Sequence, residues 1–398
     1  MRRIAAALKM LLPLALACSL AARAEDSRPW ARRNVAIVLY DGVEILDFAG
    51  PTEVFTAAGN GSFRVYTVAP THGPVLSQRV LSVRPDYSVD DAPTPDILVL
   101  PGGQSSGFTR SEAGMAWVRK VTARNELSMS VCSGAFILAQ LGLLDGRPAT
   151  THWGAVPRLR AAFPKVQVKT DVRFVDDGRI VTTAGVSAGI DGALHVVQRL
   201  LGDDVAWETA RYMQYLWEPQ ESAALPAPAK EALRALVFQD AERAASLLAA
   251  QAAKAPKDVR VLSRLGRARI LRGETKAGIQ TLESAVALGD VRPITLTALG
   301  DAQLASDANA AAERTFAELV KQRGAADDAY QLACAQGRQR KVNAAIDSLG
   351  KAVALGFRDR ELADGDADLR AVRGDPRYAQ LFSPGSQEHA ASGIAPAR

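Results

Sequence analysis

Cys132 stands where a strand-type run, Leu127-Ser-Met-Ser-Val, gives way to a helical pattern that opens Ser133-Gly134-Ala135. A side chain at such a turn projects from the carboxyl end of a strand, beside the free N–H groups and positive end of the next helix. That setting favours the thiolate, the form in which cysteine attacks carbon. The residue therefore reads as a nucleophile or reactive thiol, against the plainer alternative of a small core residue. Ser133 adds a backbone N–H within reach of an oxyanion. Gly102 and Gly103 of Leu100-Pro-Gly-Gly, at the end of a neighbouring strand, can bring further N–H groups close. The other groups that could do chemistry carry weaker signals. Asp191 and His195 share a helical face without a third ligand and read as a structural pair. Cys334 fills a small-residue slot in a helical run. His72 and His389 have no context, and no CxxC or HExxH spacing occurs, so neither a metal nor a cofactor is expected.

The elements that must hold this cysteine alternate. Val35–Leu39, Phe63–Val68, Ile97–Leu100 and Leu127–Val131 read as short buried strands. Asp47–Ala58, Ser111–Asn125, Gly134–Leu141 and Ala188–Leu201 carry helical spacing, and Arg173–Ala184 reads as a hairpin turning at Asp176-Asp177-Gly178. The alternation predicts an α/β fold: a mostly parallel sheet with helices on both faces, its chemistry outside the carboxyl ends of the strands.

Five segments carry a resemblance over residues 34–217: Val38-Leu-Tyr-Asp-Gly-Val-Glu-Ile-Leu-Asp47-Phe-Ala-Gly-Pro-Thr-Glu-Val-Phe55, Leu98-Val-Leu-Pro-Gly-Gly103, Ser130-Val-Cys132-Ser-Gly134, Ala149-Thr-Thr-His152-Trp153 and Ala188-Gly-Ile-Asp191. They resemble the ThiJ/PfpI family of the class I glutamine amidotransferase-like superfamily, in the flavour of isonitrile hydratases and of the amidotransferase-like domains of AraC-type regulators. The resemblance implies a flavodoxin-like sandwich with Cys132 as nucleophile and Asp47 as the acid beside the sulfur. Helix N-capping is the alternative for Asp47, and Glu44 is the rival carboxyl. It implies a histidine near the cysteine at His152, with a structural histidine beside Trp153 as the even alternative. Branches with a histidine directly after the nucleophile differ from this chain, which has Ser133 there. A small-molecule substrate or ligand in this domain follows, with a homodimer as one option.

After Glu218 the texture changes. Pro219, Pro226 and Pro228 punctuate an Ala-rich linker over 218–229, and from Lys230 the chain is helical throughout. Leu265-Gly266, Leu299-Gly300 and Ala333-Cys334 recur at an offset of 34 residues. Each is followed by a small residue (Gly278, Ala312, Ala345), a large one (Leu282, Phe316, Leu349) and then Ala285, Leu319 or Ala352. Helix pairs with this period over 230–383 resemble tetratricopeptide repeats, which imply a protein partner. An ordinary helical bundle is the alternative. The tail, 384–398, lacks periodicity.

Met1–Ala24 has a basic start, an apolar core and the ending Ala22-Arg23-Ala24, the layout of a cleaved secretory signal. The expectation is a periplasmic or secreted protein. Lipidation at Cys18 is disfavoured because Ala15 stands where leucine is usual. Of the 398 residues 48% are apolar and 23% charged, which excludes a disordered chain and suits two or three domains. Four of the five surplus positive charges fall in residues 1–24, so nothing suggests a nucleic-acid partner. Three functions follow. The first is hydration of isonitriles through a Cys132 thioimidate, and the second a non-catalytic ligand sensor or adaptor whose repeats bind a partner. The third is thiol-redox chemistry or repair of carbonyl damage.

Overall fold

The computed structural model describes residues 30–219 and 225–382; the expected signal peptide and tail, and residues 220–224 of the expected linker, lie outside the described residues. Two compact units emerge, one of residues 33–302 and one of residues 303–382 with 30–32.

The first unit is built on a seven-stranded sheet. Its strands are β1 (Arg33–Val38), β2 (Phe63–Ala69), β5 (Tyr87–Ser88), β6 (Ile97–Leu100), β7 (Leu127–Val131), β10 (Phe174–Asp176) and β11 (Ile180–Thr183). Two small pairs, β3 (Val75–Ser77) with β4 (Leu81–Val83) and β8 (Pro148–Ala149) with β9 (Gln167–Val168), stand outside it. The order is β10-β11-β7-β6-β1-β2-β5, parallel throughout except for the expected β10–β11 hairpin. Val35 to Val38, Ile97 to Leu100, and Leu127, Met129 and Val131 are buried, as a parallel sheet covered on both faces requires. From β1 the chain runs outward to β2 and β5, then crosses to β6 on β1's other side. This reversal puts a topological switch point between β1 and β6, where the strand ends open a crevice.

The helices here are α1 (Ile45–Ala57), α2 (Ser106–Thr109), α3 (Glu112–Thr122), α4 (Ala135–Gln140), α5 (Val156–Ala162), α6 (Ala188–Leu201) and α7 (Asp203–Tyr212). Ser111 starts α3 by accepting the Gly114 N–H at 3.1 Å, and Met115, Val118 and Val121 face the core at helical spacing.

The same unit continues into α8 (Ala227–Val237), α9 (Ala241–Lys254), α10 (Val259–Leu271) and α11 (Thr275–Ala287), with α12 (Pro293–Ala305) running over its boundary. The small residues placed by the 34-residue pattern act as expected. A Cβ on Gly266 would lie 2.6 Å from Leu282, and one on Gly278 would lie 2.8 Å from the Gly266 carbonyl, so α10 and α11 approach backbone to backbone. These helices stay with the sheet through a buried ionic cluster. Asp204 of α7 accepts from Arg264 Nε at 2.9 Å and Nη2 at 2.8 Å, and from Arg267 Nη1 at 3.1 Å. Burial alone would push the Asp204 carboxyl up, but Arg264, then Arg267 and Arg292, hold it below the ordinary carboxylate range.

The second unit holds α13 (Asn309–Gln322), α14 (Ala326–Arg338), α15 (Val342–Ala354), α16 (Arg360–Gly365) and α17 (Pro376–Leu381). Ala312, Phe316 and Leu319 of α13, Ala333 and Cys334 of α14, and Ala345, Leu349 and Ala352 of α15 are all buried. The long all-helical region fits helical repeats. Cys334 fills its small-residue slot and turns its thiol toward Asp366 Oδ2 at 3.5 Å. Cys132 and Cys334 are both free.

Candidate functional site

Cys132 is the first residue past β7, with φ +56°, a left-handed conformation that a non-glycine residue adopts only when its surroundings hold it there. The elbow is fixed from below by a close approach: a Cβ on Gly134 would lie 1.9 Å from the Leu100 carbonyl oxygen. No side chain fits, so Gly134→Ala is expected to cost about 3 kcal/mol or more of stability, read as a lowered denaturant midpoint. A cost under about 1 kcal/mol would refute that reading of the turn.

Asp47 comes to the sulfur from α1. The helix begins at Ile45, two residues before the expected start, and Glu44 occupies the N-cap position. Asp47 is therefore no N-cap. Its fully buried carboxylate accepts the Gly102 N–H on Oδ2 at 2.9 Å and the Val186 N–H on Oδ1 at 2.9 Å, and it stands beside Cys132, since a Cβ on Gly102 would lie 2.7 Å from both Asp47 Oδ2 and Cys132 Cβ. Glu44, the rival, has its side chain 2.5 Å from Gln78 Nε2 and acts on the pair only through its charge.

The acidity of the pair differs from the sequence expectation. Burial, then the charge of Asp47, pushes the Cys132 thiol up to about 12, although the Ser133 N–H pulls the other way. The helix N-terminus supplies the expected stabilisation, and desolvation outweighs it. Burial likewise raises Asp47 to about 6, against the opposing pull of the Gly102 and Val186 amides. At neutrality the thiol keeps its proton and the ionised Asp47 is the base beside it, while below about pH 6 the carboxyl is itself protonated and can donate.

A raised carboxyl makes folding take up a proton. The stabilisation is complete below the unfolded value of 3.8 and is lost as pH rises through about 6. The swing is about 3 kcal/mol. About 1.4 kcal/mol of it falls between about pH 5 and about pH 8, and denaturant unfolding of the native protein and Asp47→Ala at those two values isolates that part, because the difference between the two proteins carries the Asp47 contribution. A difference that does not change with pH would refute the shift.

The other expected residues divide. Ser133 Oγ accepts the Gly103 N–H at 3.0 Å and is also 3.0 Å from the Gly103 carbonyl, locking the two turns together. The Gly102 and Gly103 amides, read from sequence as oxyanion donors, are thus directed at Asp47 and Ser133. Gly102 remains against the sulfur's own residue, since a Cβ there would lie 2.7 Å from Cys132 Cβ. His152 uses Nδ1 locally, accepting the Gly154 N–H at 3.3 Å, and its ring lies 5.3 Å from that of Trp153. Thr151, its neighbour, makes the recorded contact with the elbow, donating to the Cys132 carbonyl at 2.8 Å. Three contributors escaped sequence reading. Thr151 lay within a quoted motif, so its hydroxyl was the available signal. Val186 acts through its backbone, which no residue type announces. Tyr40 donates to the Pro101 and Gly102 carbonyls at 2.7 and 2.8 Å and so shapes the β6 turn. His195 pairs with Asp176 at 2.7 Å and Asp191 with Arg173, so the two helix-face residues serve separate partners.

A cysteine elbow facing a buried acid at the switch point of a flavodoxin-like sheet defines a domain of the class I glutamine amidotransferase-like type. Residues 33–199 match the DJ-1/PfpI family. The chain is 32% identical over 201 residues to an isonitrile hydratase of Pseudomonas putida, covering 50% of this chain and 86% of that protein. It is 31% identical over 190 residues to the HTH-type transcriptional regulator GlxA of Rhizobium meliloti, covering 46% of this chain and 58% of the regulator. A solved ThiJ/PfpI family protein from Pseudomonas syringae is 30% identical, covering 56% of this chain and 93% of its own, at a TM-score of 0.44. The chain belongs to the DJ-1/PfpI family.

Proposed function

We propose that the protein hydrates isonitriles to N-substituted formamides at Cys132, in the periplasm or after secretion. The observation that carries this reading is the strained Cys132 elbow set beside a fully buried Asp47, whose carboxylate the Gly102 and Val186 amides hold in place. The likeness to an isonitrile hydratase supports the choice of substrate. The Cys132 sulfur attacks the terminal carbon of R–N≡C while Asp47 takes the thiol proton and returns it to that carbon, giving the thioimidate R–N=CH–S–Cys. Water, deprotonated by Asp47, adds to the same carbon, and Asp47 passes that proton to the nitrogen, giving R–NH–CH(OH)–S–Cys, whose hydroxyl proton is available to the sulfur. The C–S bond then breaks, and the sulfur recovers a proton as R–NH–CHO leaves. A base whose acidity lies near the working pH can both accept and return the proton. The helical repeats, which resemble tetratricopeptide repeats, would hold a protein partner.

Incubation with an alkyl isocyanide, with formamide measured by mass spectrometry, tests the reading. Catalytic product from the native protein and none from Cys132→Ala is the expected result. No product from the folded native protein would refute it. The second reading is a ligand sensor, favoured by the likeness to a regulator and by a thiol held in its protonated form. It predicts isonitrile-independent ligand binding that Cys132→Ala leaves intact.

A further inference from the structure

We propose that Arg173, Asp191 and Tyr215 form a strap that fixes the Val186 amide on Asp47, which makes Arg173 a positioning residue for the Cys132–Asp47 pair. The inference rests on reading that pair as the reacting groups and adds the device that sets one of the two amide donors of Asp47.

Val186 lies in the Ala184–Ser187 turn between β11 and α6. It is a β-branched residue at φ +49°, a conformation that such a residue adopts only when its surroundings hold it there. The strap holds the turn from both ends. On one side the Ala184 N–H donates to the Arg173 carbonyl at 2.9 Å. On the other the Arg173 guanidinium donates from Nη2 to Ser187 Oγ at 3.1 Å, directly past Val186. The guanidinium is itself held by Asp191 of α6, whose Oδ2 accepts from Nε at 2.7 Å. Tyr215, beyond the end of α7, donates to the same Oδ2 at 3.2 Å and lies 3.4 Å from Nη2. An isolated surface ion pair would do little, but a fork bound to a carboxylate, a phenol and a serine has few ways to move. The product of this arrangement is the 2.9 Å bond from Val186 N–H to Asp47 Oδ1.

The charged and titratable groups that face Asp47 are Glu44, Cys132 and Tyr40. None belongs to the strap, so the strap acts on Asp47 through the amide alone. Losing a donor to a carboxylate raises its acidity constant's pKa, so Asp47 would hold its proton to higher pH.

The test uses the full chain and needs no isonitrile: the rate of Cys132 alkylation by iodoacetamide against pH, mapped by peptide mass spectrometry. The native profile should carry a step near pH 6, where Asp47 gains its charge and disfavours the thiolate. Arg173→Met and Ser187→Ala should each move that step upward by about half a pH unit or more, with Tyr215→Phe moving it less. Steps that coincide with the native one in folded variants would overturn the strap, and Ser187→Ala decides the matter if Arg173→Met fails to fold. A native profile with no step would overturn the pairing of Asp47 with Cys132, and the strap with it. Absence of formamide beside an intact step and its shift would sink the hydratase reading alone.

Discussion

Under the proposed hydration of isonitriles, Cys132→Ser is expected to lower formamide release at least about a thousandfold while leaving the fold intact. Serine keeps a donor for Asp47 and fits the same left-handed elbow, so the loss reports the nucleophile and not the architecture. Its hydroxyl ionises far less readily than a thiol and is a poorer leaving group from a tetrahedral adduct, so both halves of the cycle suffer. Single-turnover mass spectrometry should reveal the isonitrile mass on the native protein at Cys132 before formamide appears, and none on the variant. A variant retaining more than about a tenth of the rate would remove the covalent step from the mechanism and leave Asp47 as base for direct water attack.

Asp204→Ala is expected to destabilise the first unit by about 3–5 kcal/mol in denaturant unfolding. The carboxylate and the Arg264 side chain are 4% and 5% exposed, so removing the acid strands a buried guanidinium with Arg267 and Arg292 beside it. The double variant Asp204→Leu with Arg264→Met should recover much of the loss, because a matched apolar pair replaces both charges at once. The acid limb follows from the depressed carboxyl: its contribution is present above the unfolded value near 4 and is lost as pH falls through the lower folded one. A single-variant cost below about 1 kcal/mol would show that the cluster is incidental to folding.

The sheet was legible because its central strands are short, buried and rich in Val, Ile and Leu, and the elbow because Cys132-Ser133-Gly134 follows such a strand directly. The repeats were legible because small residues must recur where helices touch, and Gly266 and Gly278 touch as their spacing requires. What sequence misjudged was the thiol. A helix N-terminus can be read from a turn, but the desolvation around Cys132 comes from Gly185, Gly102 and Asp47, which only the fold assembles. The start of α1 was placed two residues late because Asp47 is a favoured N-cap type, and its carboxylate is spent elsewhere. Val186 was invisible for a different reason: its role belongs to a peptide group, which every residue carries.

Over residues 218–229 the sequence looks like a joint, with prolines and alanines between two textures. Yet Asp204 lies before that stretch and the arginines that compensate it lie after. A molecule cut there would keep an acid shaped for partners it no longer has, in a surface never meant for water. The helices that follow are therefore not luggage that can be unclipped. For anyone wishing to transplant this domain, or to trace how the two halves came together, the seam runs through matched charges rather than through the flexible-looking stretch, and both sides of it must travel together.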